Sequence, residues 1–483
     1  MRGRKAVLPR CASLSANMDA EADTYIAYPK RWFILAVVVL LNFSNAMTWI
    51  TYAPISYFTK EYFGNTNAPT FYNSVFMVLS IPCGFAAMWS IDKHGLRTGC
   101  LIGVVCNLIG NVLRVLGALS FLSKPARFYT VLCGQCIAAC AQPFIMFLTT
   151  KLAAFWFPDH QRALANTLGS MANPLGIAVM YATASLFVNN SHPDAFVLLN
   201  GIVAIPAVIA AALAFGVTSS VPPTPASAST NLVDIETPNF VEGLRRCIKS
   251  KSFLMLSVGI GGGLGLFNAL YNNLQPALCV KGYSDSFSGG IGALLIVSGL
   301  IGAAVSGVYV DKTKKFEETM KCCFCVAGIA ACSLTIALQY VNVHWWIALS
   351  IFVFGAFGFA IYPIGLELGV EVSFPVAEAS SSGLLIIAGQ LQGVLYIIIT
   401  GFLTRDATPR EMEVQTCMKT SDPKDVPDWQ YAFIAWNVIV VGLIVIFVAC
   451  FWPQYRRTQY EQATRTITTE RPDTPPPQHE QEV

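Results

Sequence analysis

The chain has 483 residues, of which 54% are hydrophobic and only 12% are charged, about half the charged share of roughly 25% that soluble proteins carry. These charged side chains are too few to cover a soluble protein of this length easily, which disfavours a soluble multidomain enzyme. The net charge of +3 gives no basic field for nucleic-acid binding. The 15 cysteines are too sparse for a disulfide-based scaffold.

Twelve stretches are apolar and long enough to cross a bilayer as helices. A hydrocarbon core about 30 Å thick needs about 20 apolar residues in a helix, and lipid tolerates no unpaired backbone. We therefore predict an all-α membrane protein with twelve transmembrane helices. The predicted spans are 32–58, 70–91, 98–119, 127–150, 163–188, 196–217, 252–275, 287–310, 320–340, 344–372, 379–403 and 431–452.

The distribution of Lys and Arg predicts the orientation of these spans. With a cytosolic N-terminus, the inside segments carry 22 of the 31 basic residues and the outside loops carry 8, with Arg114 inside a span. Both termini are therefore expected to be cytosolic. No apolar run occurs within the first 31 residues, so we expect no cleaved signal peptide. The plasma membrane is favoured over an internal one.

A connection rich in proline and serine divides the spans six and six. This composition predicts a mobile linker, and the polar, proline-rich end of the chain is expected to be disordered. The predicted organisation is a cytosolic tail (1–31), a six-helix bundle (32–217), a cytosolic linker (218–251), a second six-helix bundle (252–452) and a cytosolic tail (453–483).

The two halves resemble each other. An acidic residue begins the turn after the second span, Asp92, and the turn after the eighth, Asp311, 219 positions later. A Phe-Pro dipeptide follows both the fourth and the tenth span, 217 positions apart, and this offset sets Asn173 opposite Gln390. Two similar six-helix halves usually enclose a site at their interface near mid-membrane.

Each of these turns combines an acidic residue with basic ones. The first contains Asp92, Gly95 and Arg97, and the second contains Asp311 and Lys312. Such charges can pair across helix ends in one conformational state and separate in the other. This turn is the loop signature of the major facilitator superfamily. The chain resembles that superfamily, which implies two pseudo-symmetric six-helix bundles.

Longer strings resemble solute carrier family 49, the feline leukaemia virus subgroup C receptor-related family. They are NAMTWITY (45–52), GQCIAACAQPF (134–144) and SFPVAEASSSGLL (373–385). The run KLAAFWFPDHQRALANTLGSMANPLG (151–176) and VPPTP (221–225) look most like the branch also called major facilitator superfamily domain-containing protein 7. The resemblance covers about residues 30–455.

This resemblance implies a substrate class and a binding site. Family members are described as carriers of choline and ethanolamine, with older proposals of haem transport. The choline carriers use a Trp, a Gln, a Tyr and a Gln on the first, fourth, seventh and eleventh helices, which implies roles for Trp49, Gln142 and Gln390. Where the family has the Tyr, this chain has Asn268. One wall of an aromatic cage is then missing, unless Tyr271 replaces it.

The chemistry of the same residues supports this interpretation. Indole is the best cation–π partner among side chains, so Trp49 suits a cation, and we expect Tyr52, Phe267 and Tyr271 near it. A carboxamide oxygen can solvate a small cation or a hydroxyl without fixing a charge. The site would otherwise be an ordinary set of interhelical hydrogen bonds.

Apart from residues at the very ends of the spans, only three ionisable residues, Arg114, Glu367 and Glu371, fall inside them, and none lies mid-helix on a span expected to line the cavity. A proton-coupled carrier generally needs a titratable group there, so this pattern favours facilitated diffusion. Arg114 is expected to snorkel, with an outer gate pairing as the alternative. Glu367 and Glu371 are expected to pair with basic residues of the cytosolic turns, with a proton relay as the alternative, and Arg162 to join the inner gate.

Two covalent modifications are also expected in the outside loops. Cys279 and Cys417 lie in that oxidising compartment and could pair, with two free thiols as the alternative. Asn189 begins a sequon, Asn-Asn-Ser, in a short outside loop and is a candidate glycosylation site.

Together these features predict a transporter that works by alternating access. The expected activity is facilitative uniport of a small organic cation or amino alcohol, similar to choline or ethanolamine. A carrier of haem or another small metabolite and a non-transporting membrane receptor or scaffold are the alternatives. We expect a small-molecule substrate and a surrounding lipid bilayer, and no nucleic acid, no cofactor, no metal and no catalytic residue. A monomer is expected.

Overall fold

The computed structural model describes residues 26–189, 191–226, 238–416, 427–460 and 462. Their helices are α1 (Lys30–Ile50), α2 (Ser56–Phe63), α3 (Ala68–Gly117), α4 (Lys124–Trp156), α5 (Arg162–Phe187), α6 (Phe196–Ala214), α7 (Phe240–Lys249), α8 (Lys251–Val280), α9 (Asp285–Thr313), α10 (Phe316–Ala337), α11 (His344–Ser373), α12 (Glu378–Leu403), α13 (Pro409–Val414) and α14 (Gln430–Cys450). Strands β1 (Arg405–Asp406) and β2 (Pro427–Asp428) form an antiparallel pair with Arg405 opposite Asp428.

These helices match the predicted spans. Within the described residues, ten helices are long and apolar enough to cross a membrane. Each of the twelve predicted spans overlaps one of these ten helices or the more polar α5, with α3 containing two spans. The prediction of an all-α membrane protein is confirmed. The assignment of the N-terminus to the cytosol and the domain boundaries stay predictions.

A glycine breaks the 50-residue helix α3 into its two spans. Gly95 has φ +86°, a conformation that residues with a Cβ rarely adopt. A Cβ at this position would also lie 2.5 Å from the hydroxyl oxygen of Ser220. The same hydroxyl accepts a hydrogen bond from the backbone N–H of Arg97 at 3.1 Å, and Trp156 donates its indole N–H to the Ser220 carbonyl at 3.1 Å. The turn therefore docks the start of the linker.

The first predicted span ends earlier than expected, and the predicted linker contains a helix. The first span ends at Ile50 rather than at residue 58, and the short helix α2 follows it. The predicted linker 218–251 contains helix α7, which buries Gly243 and Cys247 against the protein.

The predicted tail is also partly ordered, because the segment 453–460 packs against the ends of α10 and α11. Tyr455 accepts a hydrogen bond from the Glu317 backbone N–H at 3.1 Å. The ring of Tyr460 stacks on Phe374 with centroids 5.7 Å apart.

The core consists of two apolar layers, called outer and inner after the predicted orientation in which the inner side is cytosolic, and each layer draws residues from both halves. The outer layer includes Tyr72 and Phe196 from the first half and Phe354 from the second. The inner layer includes Phe147 from the first half and Leu385 from the second. The halves contact each other where α5 packs on α9 and α3 packs on α12.

Arg114 does not snorkel to the interface as expected, because the first bundle supplies partners for its charge. It is fully buried, and its guanidinium donates to the side-chain oxygens of Asn111 at 3.1 Å and Asn200 at 3.4 Å. Its guanidinium carbon lies 5.1 Å from the ring centroid of Tyr52, a cation–π contact. Thr48 also donates to Asn111 at 3.1 Å, which ties α1 to this group.

A folded cap covers the outer end of α8. Lys281, just after α8, lies 2.5 Å from a carboxylate oxygen of Glu411 and 3.1 Å from one of Asp428. Asp428 is fully buried and also accepts from Arg405 at 2.7 Å. Opposite charges therefore join α8 to α13 and to the strand pair.

The predicted cysteine pair falls partly within this cap. Cys279 is disulfide-bonded. Cys417 lies outside the described residues, but its neighbour Thr416 donates its backbone N–H to the Cys279 carbonyl at 3.0 Å. Pairing of Cys279 with Cys417 stays a prediction.

Asn189, the first residue of the predicted sequon, has a side chain that organises its own turn. Its amide donates to the Leu186 carbonyl at 3.1 Å and its oxygen accepts from the Ser191 N–H at 2.9 Å. Glycosylation there stays a prediction.

The cap should lose stability in acid. Burial raises the pKa of Glu411, but hydrogen bonds from Lys281 and Thr408 outweigh burial, and the pKa is lowered from its ordinary value. A carboxyl with a depressed pKa stabilises the fold above its unfolded-state pKa, and this contribution is lost as the pH falls through the folded-state value. Glu411→Gln should therefore lower the melting temperature of the purified protein at pH 7, by an amount that shrinks toward pH 4 and below.

The exposed carboxylate of Glu413, on the same short helix, provides the matched control. Glu413→Gln should leave the melting temperature unchanged at both pH values. A Glu411→Gln deficit that is the same at pH 7 and in acid would contradict the role of the carboxylate charge.

Candidate functional site

A cavity lies between the two halves, at the junction of the inner and outer apolar layers. It has a volume of ≈ 50 Å³, room for several water molecules at roughly 10–15 Å³ each. Its walls come from α1, α4 and α5 of the first half and from α8, α11 and α12 of the second. None of the described side chains that line it carries a formal charge at neutral pH.

Trp49 forms the aromatic wall on the first half. The residue is 3% exposed and lines the cavity. Its indole N–H donates to the Asn73 carbonyl at 3.1 Å, which fixes the ring. Because this bond satisfies the N–H, the indole contributes apolar ring surface rather than a free hydrogen-bond donor to the lining.

Carboxamide side chains supply the polar groups of the cavity. Gln142 lies 3.0 Å from the hydroxyl of Ser80, and Gln390 accepts a hydrogen bond from Asn268 at 3.4 Å. The side-chain nitrogen of Asn173 is buried and has no hydrogen-bond partner within the described part of the chain. Since a buried amide N–H costs free energy when unpaired, Asn173 is a ready donor to a bound solute.

Three aromatic side chains form the wall on the second half. Phe267 on α8 packs against Phe359 on α11 with ring centroids 4.6 Å apart, and Tyr362 lines the cavity one turn further along α11. This half therefore has an aromatic wall although position 268 is an asparagine. Phe267 is one of the aromatic residues expected from the sequence, whereas Phe359 and Tyr362 of α11 were not expected there.

The other two aromatic residues expected near Trp49 are not part of this lining. Tyr52 is fully buried within the first bundle, where its hydroxyl donates to Asn200 at 3.0 Å and its ring packs on Tyr72 with centroids 5.0 Å apart. Its position is corrected from the cavity to the bundle core. The side chain of Tyr271 lies outside the part of the chain that the structure describes.

One buried ammonium joins the inner ends of the two halves. Lys151 on α4 lies 3.5 Å from a carboxylate oxygen of Asp92 and 3.9 Å from one of Glu378 on α12. Ser380 on α12 donates to the other Asp92 oxygen at 2.5 Å. The predicted turn residue Asp92 thus contacts the opposite half directly and through Lys151.

The equivalent turn of the second half makes its own cross-contact. Asp311 at the end of α9 accepts from the backbone N–H groups of Ala163 at 3.2 Å and Leu164 at 2.9 Å, at the N-terminus of α5. A helix N-terminus carries partial positive charge and stabilises an anion. Both acidic turns therefore close the inner end, and the conformation is closed on that side.

The remaining predicted gate residues take different places. Arg162 is buried and pairs with Asp159 at 3.0 Å. Lys312 is exposed, and the neighbouring Lys314 donates instead to the Asp159 carbonyl at 3.1 Å. Glu371 accepts hydrogen bonds from the backbone N–H and hydroxyl of Thr458, both at 3.1 Å, and its expected pairing with basic residues of the turns stays a prediction.

Comparison with known proteins identifies the architecture. The family model described as Major Facilitator Superfamily matches residues 38–396. Solute carrier family 49 member A3 of Danio rerio is 38% identical over 447 residues, with 92% of each chain covered. The chain belongs to solute carrier family 49 of the major facilitator superfamily. It is a multi-pass membrane transporter.

Two more distant proteins resemble this transporter. The choline/ethanolamine transporter flvcr2a of Danio rerio is 27% identical over 387 residues, covering 77% of this chain and 80% of that protein. The fucose:proton symporter of E. coli has a TM-score of 0.63 at 14% identity, covering 89% of this chain and 100% of that one. The second likeness concerns the fold alone.

The internal repeat of this family 49 chain could have located Phe359, a residue of the aromatic wall on the second half. The offset of 217 between the halves carries Gln142 to Phe359 and Asn173 to Gln390, and an offset of 218 carries Trp49 to Phe267. All six residues line the cavity. Residues related by the repeat therefore occupy equivalent positions around the pseudo-two-fold axis.

The inner contacts predict how this transporter opens. Lys151→Met leaves the Asp92 and Glu378 carboxylates buried without the cation between them, and removing one member of a buried ion pair costs about 3–5 kcal/mol. We expect the inner ends to separate. Spin labels introduced at the inner residues His94 and Thr313, one in each half, should gain a longer distance component by double electron–electron resonance.

Lys93→Met is the control, because Lys93 is an exposed cation beside Asp92 that packs on Trp89 instead. It should leave the distance distribution as in the parent protein. An unchanged distribution in Lys151→Met would mean that other contacts hold the inner end closed.

Proposed function

We propose that this chain is a facilitative uniporter of a small organic cation or amino alcohol, of the choline or ethanolamine type. The observation that carries the proposal is the composition of the cavity: aromatic rings on two sides, carboxamides between them, and no charged side chain among the described residues of its lining. The 27% identity to a protein named as a choline/ethanolamine transporter points to the same substrate class.

The aromatic walls suit a cation that is poorly served by hydrogen bonds. A quaternary ammonium has no N–H to donate, so its stabilisation comes from ring faces, about 0.5–1 kcal/mol each at exposed sites and about 2 kcal/mol or more when water is excluded. Trp49 is held with its N–H already bonded, and Phe359 lies across the cavity on the other half. The two halves would thus both contact the cation.

The carboxamides suit the other end of an amino alcohol. A hydroxyl both donates and accepts, and so does a carboxamide. Gln142, Gln390 and Asn173 surround the cavity from both halves, and the Asn173 N–H is without a partner within the described part of the chain. Binding a hydroxyl there would satisfy this donor, which favours a solute with a polar end.

The same cavity argues for uniport. Coupling to protons generally requires a titratable side chain close to the substrate, and the described lining offers none that titrates near neutral pH. Charged groups that join the two halves lie instead at the inner contacts, where they would alternate between closed and separated arrangements. Alternating access would then follow solute binding alone, by rocking of the halves around the cavity.

Removing the Trp49 ring tests the site. Trp49→Ala should raise KM for choline or ethanolamine uptake about 2- to 30-fold, the loss of one cation–π contact of about 0.5–2 kcal/mol, and Trp49→Phe should recover part of it. The measurement is uptake of both labelled compounds by proteoliposomes. Trp345→Ala is the control, since Trp345 is 89% exposed. Transport of neither compound by the parent protein would refute the substrate class.

The driving force tests uniport. An inside-negative potential of about 100 mV should drive accumulation of a monovalent cation up to about 50-fold, because one elementary charge is worth about 2.3 kcal/mol per 100 mV. A pH gradient imposed with the potential clamped at zero should drive none. Accumulation that follows the pH gradient at zero potential would show proton coupling instead.

A further inference from the structure

Helix α7, which lies in the segment that connects the two halves along the chain, is strongly basic. It contains Arg245, Arg246 and Lys249, and Lys251 follows at the start of α8. One acidic residue, Glu242, lies 3.2 Å from Arg246 and 4.0 Å from Arg245. With four basic side chains and one acidic one, the segment has a net positive charge. The two exposed ion pairs contribute little free energy, so they do not hold the arginines in place.

The same helix has an apolar flank that none of the described elements covers. Val241 is 74% exposed and Ile248 is 56% exposed. Residues seven apart lie on one face of an α-helix, so these two side chains form a stripe. The adjacent flank packs on the protein, with Gly243 and Cys247 buried. One side of α7 therefore packs on the protein, and the stripe of Val241 and Ile248 stays exposed.

The position of α7 explains this uncovered flank. Only Ser250 separates α7 from α8, and the first turns of α8 expose Leu254 and Val258 as a lipid-facing surface would. The edge of the hydrocarbon core thus lies within about one helical turn of Lys251, at 1.5 Å of rise per residue. At this distance α7 would lie at headgroup level, and its exposed Val241 and Ile248 side chains would be available to the acyl chains.

We propose that α7 is a binding site for the headgroups of anionic lipids in the cytosolic leaflet. Basic side chains beside an apolar stripe in the interface plane are the features that bind such lipids. Arg245 lies four residues after Val241, next to the stripe, so its guanidinium meets headgroup phosphates and carboxylates while the apolar side chains insert. The proposal rests on the predicted orientation with 218–251 in the cytosol and is independent of the transported solute.

This site is connected to the inner gate. A Cβ at Gly243 would lie 3.2 Å from the Val376 side chain, so α7 packs on the turn that precedes α12. Two residues later, Glu378 begins α12 and faces Lys151 at 3.9 Å. Lipid bound to α7 would thus stabilise the turn that holds the gate residues.

The test measures hydrogen exchange of the full chain in nanodiscs. Backbone amides of 240–249 should exchange several-fold more slowly with about 30% phosphatidylserine than in pure phosphatidylcholine, since each basic side chain near an anionic surface is worth about a fivefold change in binding. Arg245→Gln/Arg246→Gln should remove most of the slowing, and so should 1 M salt, which shortens the Debye length to about 3 Å. Inorganic phosphate added to phosphatidylcholine nanodiscs should not reproduce it.

The matched control removes two positive charges from the loops predicted to lie on the opposite side of the membrane. Lys60→Gln/Lys124→Gln should keep the full slowing by phosphatidylserine. Lys249→Gln/Lys251→Gln serves as a second α7 variant, and the melting temperature shows that each variant is folded. Equal exchange in the two lipids, slowing that survives both α7 variants, or slowing by free phosphate would overturn the proposal.

Discussion

The buried ion pairs of Lys151 connect the two halves of this transporter at the inner end. The Lys151 ammonium is buried between Asp92 of its own half and Glu378 of the other, and a charge buried without a partner in such surroundings is strongly destabilising. The halves can separate at this end only if these groups become hydrated or find new partners. The described cavity lining, in contrast, is uncharged. In the proposed mechanism, charge serves the conformational change and uncharged groups bind the solute, whose differential affinity for the two states would shift the equilibrium.

The repeat explains why the cavity has this composition. Three pairs of residues, Trp49 with Phe267, Gln142 with Phe359, and Asn173 with Gln390, are separated by 217 or 218 positions and surround one cavity. In two of the pairs the chemical type is kept, aromatic with aromatic and carboxamide with carboxamide, and in the third the carboxamide of Gln142 is related to the aromatic ring of Phe359. Because the halves share a fold, residues related by the repeat lie at equivalent positions in the two halves. Their side-chain types give the cavity an apolar and a polar region. A solute with a cationic end and a hydroxyl end matches both.

The sequence was sufficient for the spans, because a bilayer imposes a length and an apolar composition on each helix. It also pointed to Trp49, Gln142 and Gln390, which line the cavity. It did not separate Tyr52 from the cavity, since an aromatic residue next to Trp49 in sequence can face either way around a helix. The burial of Arg114 and the contact of Glu371 with Thr458 depend on groups that are far apart in the chain. No local pattern encodes such meetings, and only the folded bundle brings the partners together.

The central claim is that an uncharged aromatic and carboxamide cavity binds the organic cation. It is tested most directly by an experimental structure of the full chain with saturating choline. The account predicts the quaternary ammonium within about 6 Å of the Trp49 ring centroid and the hydroxyl within hydrogen-bonding distance of Gln142, Gln390 or Asn173. Choline bound elsewhere, or its ammonium held by a carboxylate rather than by ring faces, would contradict it.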